Sequence, residues 1–130
     1  MYVWLIDDNT LHTMFFKFVC EELGVKYKVF LSAAKARNEL KNVECEEDIP
    51  DAVFIDLVLE NGERGESLLD DIKSMCSNKR LKFIAFTADI VQESSLKSIG
   101  FDKIVYKPIN KSKLIDILKG LKYEFSRISK

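Results

Sequence analysis

Four short apolar runs along the chain each end in a charged or hydroxyl-bearing residue. Tyr2-Val3-Trp4-Leu5-Ile6 runs into Asp7-Asp8, and Ala52-Val53-Phe54-Ile55 into Asp56. Lys82-Phe83-Ile84-Ala85-Phe86 runs into Thr87, and Ile104-Val105-Tyr106 into Lys107-Pro108. Runs this short and this apolar predict buried strands. Tyr27 to Phe30 reads as a further strand. Amphipathic stretches lie between them. The first predicts a helix from about Thr10 to Leu23, with Leu11, Phe15, Phe18, Val19 and Leu23 near helical spacing and Gly24 ending it. Ser32 can cap a second helix whose Ala33, Ala36 and Leu40 share a stripe. Leu68, Leu69, Ile72 and Met75 mark a third. A fourth spans about Val91 to Ile99, stopped by Gly100. The last covers about Lys111 to Tyr123, with Leu114, Ile115, Leu118 and Leu121 facing inward. The stretch from Val43 to Pro50 is a polar loop. The segment from Leu57 to Gly65 is a loop whose glycines suit a flexible turn.

Strands alternating with amphipathic helices predict an α/β fold, a parallel sheet with helices on both faces. Parallel strands share one C-terminal edge. Asp7, Asp8, Asp56, Thr87 and Lys107 then converge there, where ligands bind in open α/β sheets. Length and composition fit this reading. The 130 residues suit one domain, and 47% hydrophobic with 32% charged residues suits a soluble globular chain. The formal net charge of -1 gives no general attraction to nucleic acid or an anionic membrane surface. No apolar stretch approaches the ~20 residues that span a bilayer. A cytoplasmic location is the simplest expectation. Cys20, Cys45 and Cys76 lack close metal-ligand spacing and read as reduced thiols. His12 is the one histidine, so a zinc site is not expected. It reads as a surface or cap-adjacent residue, not as a phosphodonor or ligand.

Carboxylates crowded at one edge repel one another, and one would take up a proton unless a cation joins them. Mg2+ suits such a site, because it takes one or two carboxylates and keeps several waters. Asp8 and Asp56 are the expected direct ligands, with Asp7 acting through a bound water. Each residue alone has an ordinary explanation. Asp8 could cap the first helix. Asp56 could be a turn residue, Thr87 a strand end, and Lys107 a solvated lysine. The ordered set is far more specific than any member.

That set closely resembles the receiver domain of bacterial two-component response regulators. The motifs carrying the resemblance are Asp7-Asp8, Asp56, Thr87-Ala88 and Lys107-Pro108, in that order, and they span most of the chain. The resemblance implies a flavodoxin-like, doubly wound five-stranded sheet in the order 2-1-3-4-5. It assigns Asp56 as phosphoacceptor, the Val58 carbonyl as a further metal ligand, and Thr87 and Lys107 as partners of the phosphoryl oxygens. Ala88 would leave room for an in-line donor, and a cis bond before Pro108 would aim Lys107 inward. The implied partners are a sensor histidine kinase or histidine phosphotransfer protein, an unknown downstream protein and a phosphorylation-linked second copy. Residues 1–122 are expected to form the receiver and 123–130 a short tail, without a separate output domain. Such a domain catalyses its own phosphorylation and dephosphorylation and is a signalling module more than an enzyme.

The chain departs from that family's pattern in three places. Glu60 and Arg64 occupy the usual proline and glycine positions of the loop after Asp56, and Gly65 follows one later, which reads as a one-residue insertion. Ile104 stands where a switch aromatic is usual, with Tyr106 two residues on and on the same face. Val58 and Asp89 occupy the two positions that tune phosphoryl lifetime, and an apolar Val58 points to moderate or slow self-dephosphorylation. Three rival readings remain at this point. A haloacid-dehalogenase-type phosphotransferase would want an acid at Val58. A flavodoxin-like cofactor carrier would want a less acidic first loop. A receiver-like module that binds without phosphorylation would not need the intact acidic pair.

Overall fold

The computed structural model describes residues 1–59, 62–76 and 81–128, with side chains through Phe125. Five strands alternate with five helices: β1 (Tyr2–Ile6), α1 (Thr10–Leu23), β2 (Lys26–Phe30), α2 (Ala33–Lys41), β3 (Ala52–Asp56), α3 (Gly65–Met75), β4 (Lys82–Thr87), α4 (Glu93–Ile99), β5 (Lys103–Tyr106) and α5 (Lys111–Ile128). The strands form one parallel sheet in the order β2-β1-β3-β4-β5. This is the doubly wound order that the receiver resemblance implies.

Alternation along each strand divides the core in two. Trp4, Ile6, Val53, Ile55, Phe83 and Ala85 point to one face and meet α2, α3 and α4. Val3, Leu5, Phe54, Ile84, Phe86 and Val105 point to the other and meet α1 and α5. Strands β1 and β3 are buried on both faces, as parallel strands under two helical layers must be. The buried Trp4 indole N–H donates to the Tyr2 hydroxyl at 2.9 Å, so this donor is satisfied inside the core.

Several helix details differ from the sequence pattern. The inward face of α1 is Thr13, Phe16, Val19 and Cys20, while Leu11 and Phe18 are exposed. So many residues of α1 are apolar that two stripes have helical spacing, and only contact with Phe54 selects the one carrying Phe16. In α3, Met75 is exposed and Cys76, just past the helix, takes the buried place. Helix α4 begins at Glu93, two residues later than the pattern suggests. The Asp89 amide is committed to the Thr87 hydroxyl at 3.0 Å, which holds the chain outside the helix there. Helix α5 runs on to Ile128, through most of the expected tail. Glu124 explains part of this by pairing with Lys103 of β5 at 3.3 Å, and Phe125 packs on the core. The polar loop before β3 holds a 3-10 turn over Glu46–Asp48.

All three cysteines are free, with Cys45 exposed and Cys20 and Cys76 buried. Burial pushes the Cys20 thiol up to about 12. At pH 8 such a thiol is ionised to only roughly one part in ten thousand, and the thiolate is the reactive form. A thiol reagent should therefore label Cys45 alone in the native protein and all three residues in denaturant. Rapid native labelling of Cys20, read by peptide mass, would contradict this packing.

Candidate functional site

The C-terminal edge of the sheet fixes the backbone of each candidate residue. The Asp7 amide donates to Phe30 O at 3.0 Å, Leu57 N to Phe86 O at 3.1 Å, and Lys107 N to Thr87 O at 2.7 Å. These bonds carry the strand ladders past their last residues and hold the edge rigid. The parallel order sets β1 beside β3, so Asp7-Asp8 lies beside Asp56. One carboxylate oxygen from each of Asp7, Asp8 and Asp56 lies within 4.8 Å of the others.

Lys107 binds this cluster from the far side. Its ammonium lies 2.7 Å from Asp7 Oδ2 and 3.0 Å from Asp56 Oδ2, with only 9% of the side chain exposed. The Phe86 ring centroid lies 5.5 Å from the same ammonium. An apolar cavity of about 150 Å³, lined by Leu11, Phe16, Phe86 and Pro108 among others, opens beside Lys107. The Lys107–Pro108 bond is cis.

Asp7 is fully buried and fully partnered. Its Oδ1 accepts from the Asn9 amide at 2.9 Å, and its Oδ2 is shared by Lys107 and by His12 Nδ1 at 3.1 Å. Asp56 is nearly buried, and its Oδ1 accepts from the Val58 amide at 3.0 Å. Burial pushes the Asp56 carboxyl above the ordinary range, and the Asp7 charge adds to this. The Val58 amide and Lys107 pull the other way. Asp8 is the least committed of the three. It does not cap α1, because Asn9 does, accepting from the Leu11 and His12 amides at 2.9 and 3.1 Å. Among the described residues Asp8 has no hydrogen-bond partner. Three carboxylates facing one ammonium, all oxygen donors and one unpartnered, fit a hard divalent cation.

The loop after Asp56 is a short ribbon. Val58 bridges Arg64 in antiparallel fashion, with Leu59 N donating to Glu63 O at 2.9 Å and Gly65 N to Leu57 O at 3.1 Å. Those bonds flank the pair, so the N–H and C=O of Val58 lie outside the ribbon, and the N–H reaches Asp56 Oδ1. Gly62 turns the ribbon at φ 74, and Arg64 pairs with Glu66 at 3.2 Å. Glu60 lies outside the described residues. Arg37 of α2 clamps this loop, meeting Glu63 at 2.5 Å and Asp71 of α3 at 2.7 Å. Thr87 is buried, its hydroxyl accepting from the Asp89 amide, while Ala88 and Asp89 are exposed. Ile104 packs against the core on the α4 face. Tyr106 lies on that face too, its hydroxyl donating to Glu93 of α4 at 3.0 Å.

Residues 3–119 match the model of the response regulator receiver domain. The chain belongs to that family. It is similar over 121 residues, at 26% identity, to the hybrid signal transduction histidine kinase L of Dictyostelium discoideum. That match takes in 90% of this chain and only 7% of the kinase. Among solved structures, a CheY-like receiver domain protein from Methanospirillum hungatei aligns with TM-score 0.79 and 20% identity over 97% of both chains. A CheY-like receiver domain from Methylobacillus flagellatus aligns with TM-score 0.74 and 26% identity over 93% of this chain and 98% of its own. The receiver assignment is favoured over a dehalogenase-type or flavin-carrier reading. No described helix is long and apolar enough to cross a membrane.

His12 is the site neighbour that sequence reasoning missed. Its signal was present: it lies five residues after Asp7, one turn into α1, on the side of the helix start that faces the sheet edge. Gly65 shows where this receiver needs its loop glycine. A Cβ there would sit 2.5 Å from Asp56 O and 2.9 Å from Ile55 Cγ2, closer than atoms pack. The glycine requirement falls at position 65, as a one-residue insertion demands. Gly65→Ala should lower stability by about 1–3 kcal/mol, the usual cost of overpacking. A denaturant midpoint unchanged from wild type would show that α3 is not pressed against β3.

Proposed function

We propose that this receiver domain accepts a phosphoryl group on Asp56 from a phosphohistidine, in a reaction that needs Mg2+. The observation that carries the reading is the carboxylate of Asp56, held between the Lys107 ammonium and the Val58 amide beside Asp7 and Asp8. Asp56 Oδ1 or Oδ2 attacks phosphorus, a P–O bond forms, and the donor P–N bond breaks with its electron pair leaving on the imidazole nitrogen. Asp8 and Asp56, with the outward Val58 carbonyl, would hold the Mg2+, and Asp7 would act through a bound water. When bound, the ion neutralises phosphoryl oxygens as charge builds on them. Lys107 follows the charge from the carboxylate to a phosphoryl oxygen. The Thr87 hydroxyl accepts from the Asp89 amide, which leaves its proton for another phosphoryl oxygen. Exposed Ala88 leaves an open approach to Asp56.

The donor would be a sensor histidine kinase or a histidine phosphotransfer protein. Similarity to a hybrid kinase supports a place in a phosphorelay. The output would pass through the surface of α4, β5 and α5 to a downstream protein or a second copy. Ile104 is a half-buried aliphatic residue packed against the core, so the switch would run through Thr87 and Tyr106.

Incubation with Mg2+ and acetyl phosphate should add one phosphoryl mass, ~80 Da, to wild type and nothing to Asp56→Asn. An adduct that persists in the variant would place the chemistry elsewhere. No adduct in wild type, together with no beryllofluoride binding, would leave a receiver that acts without phosphorylation. The decay of that adduct tests position 58, where the exposed side chain of Val58 cannot orient an attacking water. Val58→Asn should shorten the lifetime severalfold. An unchanged decay rate would remove position 58 from control of hydrolysis.

A further inference from the structure

We infer that His12 is a positioning residue that holds Asp7 in place when Lys107 moves toward a phosphoryl group on Asp56. The inference rests on the phosphoacceptor reading above. Asp7 Oδ2 has two partners, Lys107 Nζ at 2.7 Å and His12 Nδ1 at 3.1 Å. A carboxylate can only accept, so His12 Nδ1 carries the proton and donates. Lys107 in turn divides its ammonium between Asp7 and Asp56.

Phosphorylation disturbs this division. One Asp56 oxygen becomes an ester oxygen, and the negative charge moves outward onto the phosphoryl oxygens. The ammonium is drawn after the charge and away from Asp7. Asp7 is 0% exposed, so beyond the metal-bound water bulk solvent has no ready path to the place on Oδ2 that Lys107 leaves. A buried carboxylate oxygen left without a donor is costly. His12 removes that cost in advance, because its N–H already sits on the same oxygen. Its side chain reaches in from α1, and 39% of it stays exposed, so the ring is not itself a core element. The Asn9 amide cannot substitute, being bound to Oδ1.

Three variants test this: His12→Ala, His12→Asn and His12→Gln. The Asn amide can place an N–H near the position of Nδ1, whereas the longer Gln reaches nearer Nε2. Calorimetry would give the Mg2+ affinity first, then the beryllofluoride affinity at saturating Mg2+. With Mg2+ alone Lys107 remains on Asp7, so His12→Ala should keep the Mg2+ affinity within about threefold of wild type. Its beryllofluoride affinity should fall roughly tenfold or more, the size expected for a lost hydrogen bond to a charged group. His12→Asn should recover most of that loss and His12→Gln should not. Equal losses for both ligands, no loss for beryllofluoride, or equal recovery by Gln would each overturn the inference. If the Ala variant does not fold, the Asn and Gln pair carries the same comparison. A second readout needs no metal. His12 is the single histidine, so its imidazole nitrogens are unambiguous by NMR. The neutral ring should carry its proton on Nδ1, and a ring protonated on Nε2 would overturn the inference. Wild type that binds neither Mg2+ nor beryllofluoride overturns the phosphoacceptor reading itself. Wild type that binds both, with unaffected variants, overturns only the role of His12.

Discussion

The structure turns on one ammonium group. Lys107 meets Asp7 and Asp56, which lie 100 and 51 residues away in the chain. Those contacts require β1, β3, β4 and β5 to be adjacent, parallel and in register. A one-residue slip in any of them would point the strand-end side chain to the other face. Asp7 is shielded from bulk water, so its charge is tolerable only with close donors. Removing one partner of such a buried pair usually costs about 3–5 kcal/mol. Core packing and site geometry are therefore one constraint. The apolar strands that drive folding also set the distances between their polar ends.

The two edges of the sheet use carboxylates differently. At the N-terminal edge, Asp51 accepts from the Tyr2 amide at 2.9 Å and Asp102 from the Phe83 amide at 2.8 Å. Both are engaged in holding strand starts. At the C-terminal edge the equivalent tasks fall to other residues. Asn9 caps α1, which frees Asp8, and Gly65 brings α3 close under β3 without a capping side chain. The negative charge left at this edge is not consumed by folding. A carboxyl pushed up by burial, as in Asp56, marks the same imbalance. A cation relieves it, and so does a proton.

Much of this was legible because strand ends are easy to find. Short apolar runs bounded by Asp, Thr and Lys marked four of the strands, and the strand order followed from the family resemblance that the motif set carries. The less legible features were those decided by contacts between elements. The α1 face was ambiguous because Leu11, Met14, Phe15, Phe16 and Phe18 are all apolar, and only the sheet chooses among them. Met75 and Cys76 are neighbours of similar apolarity, so the burial of Cys76 follows from how α3 ends. The extent of α5 depended on Glu124 reaching Lys103, a contact between distant parts of the chain. His12 was hidden for the same reason. Its meaning lies in a shared oxygen of Asp7 that no spacing rule displays.

The departures around β5 bear on how a signal would leave the site. Ile104 is half-buried against the core and, being aliphatic, supplies no aromatic ring for the usual switch. Tyr106 is fastened to α4 by an exposed hydroxyl bond to Glu93. Helix α4 has seven residues and buries only Leu96, so it is lightly held. Thr87 meets the same region from the other side, through the Asp89 amide. Two hydroxyls on neighbouring strands thus grip the approach to the helix with the fewest buried contacts. A change in the Thr87 hydrogen bond then acts where local opening costs least. Loss of the usual aromatic at position 104 need not silence the response, because the weak element is α4 and its tether is already Tyr106.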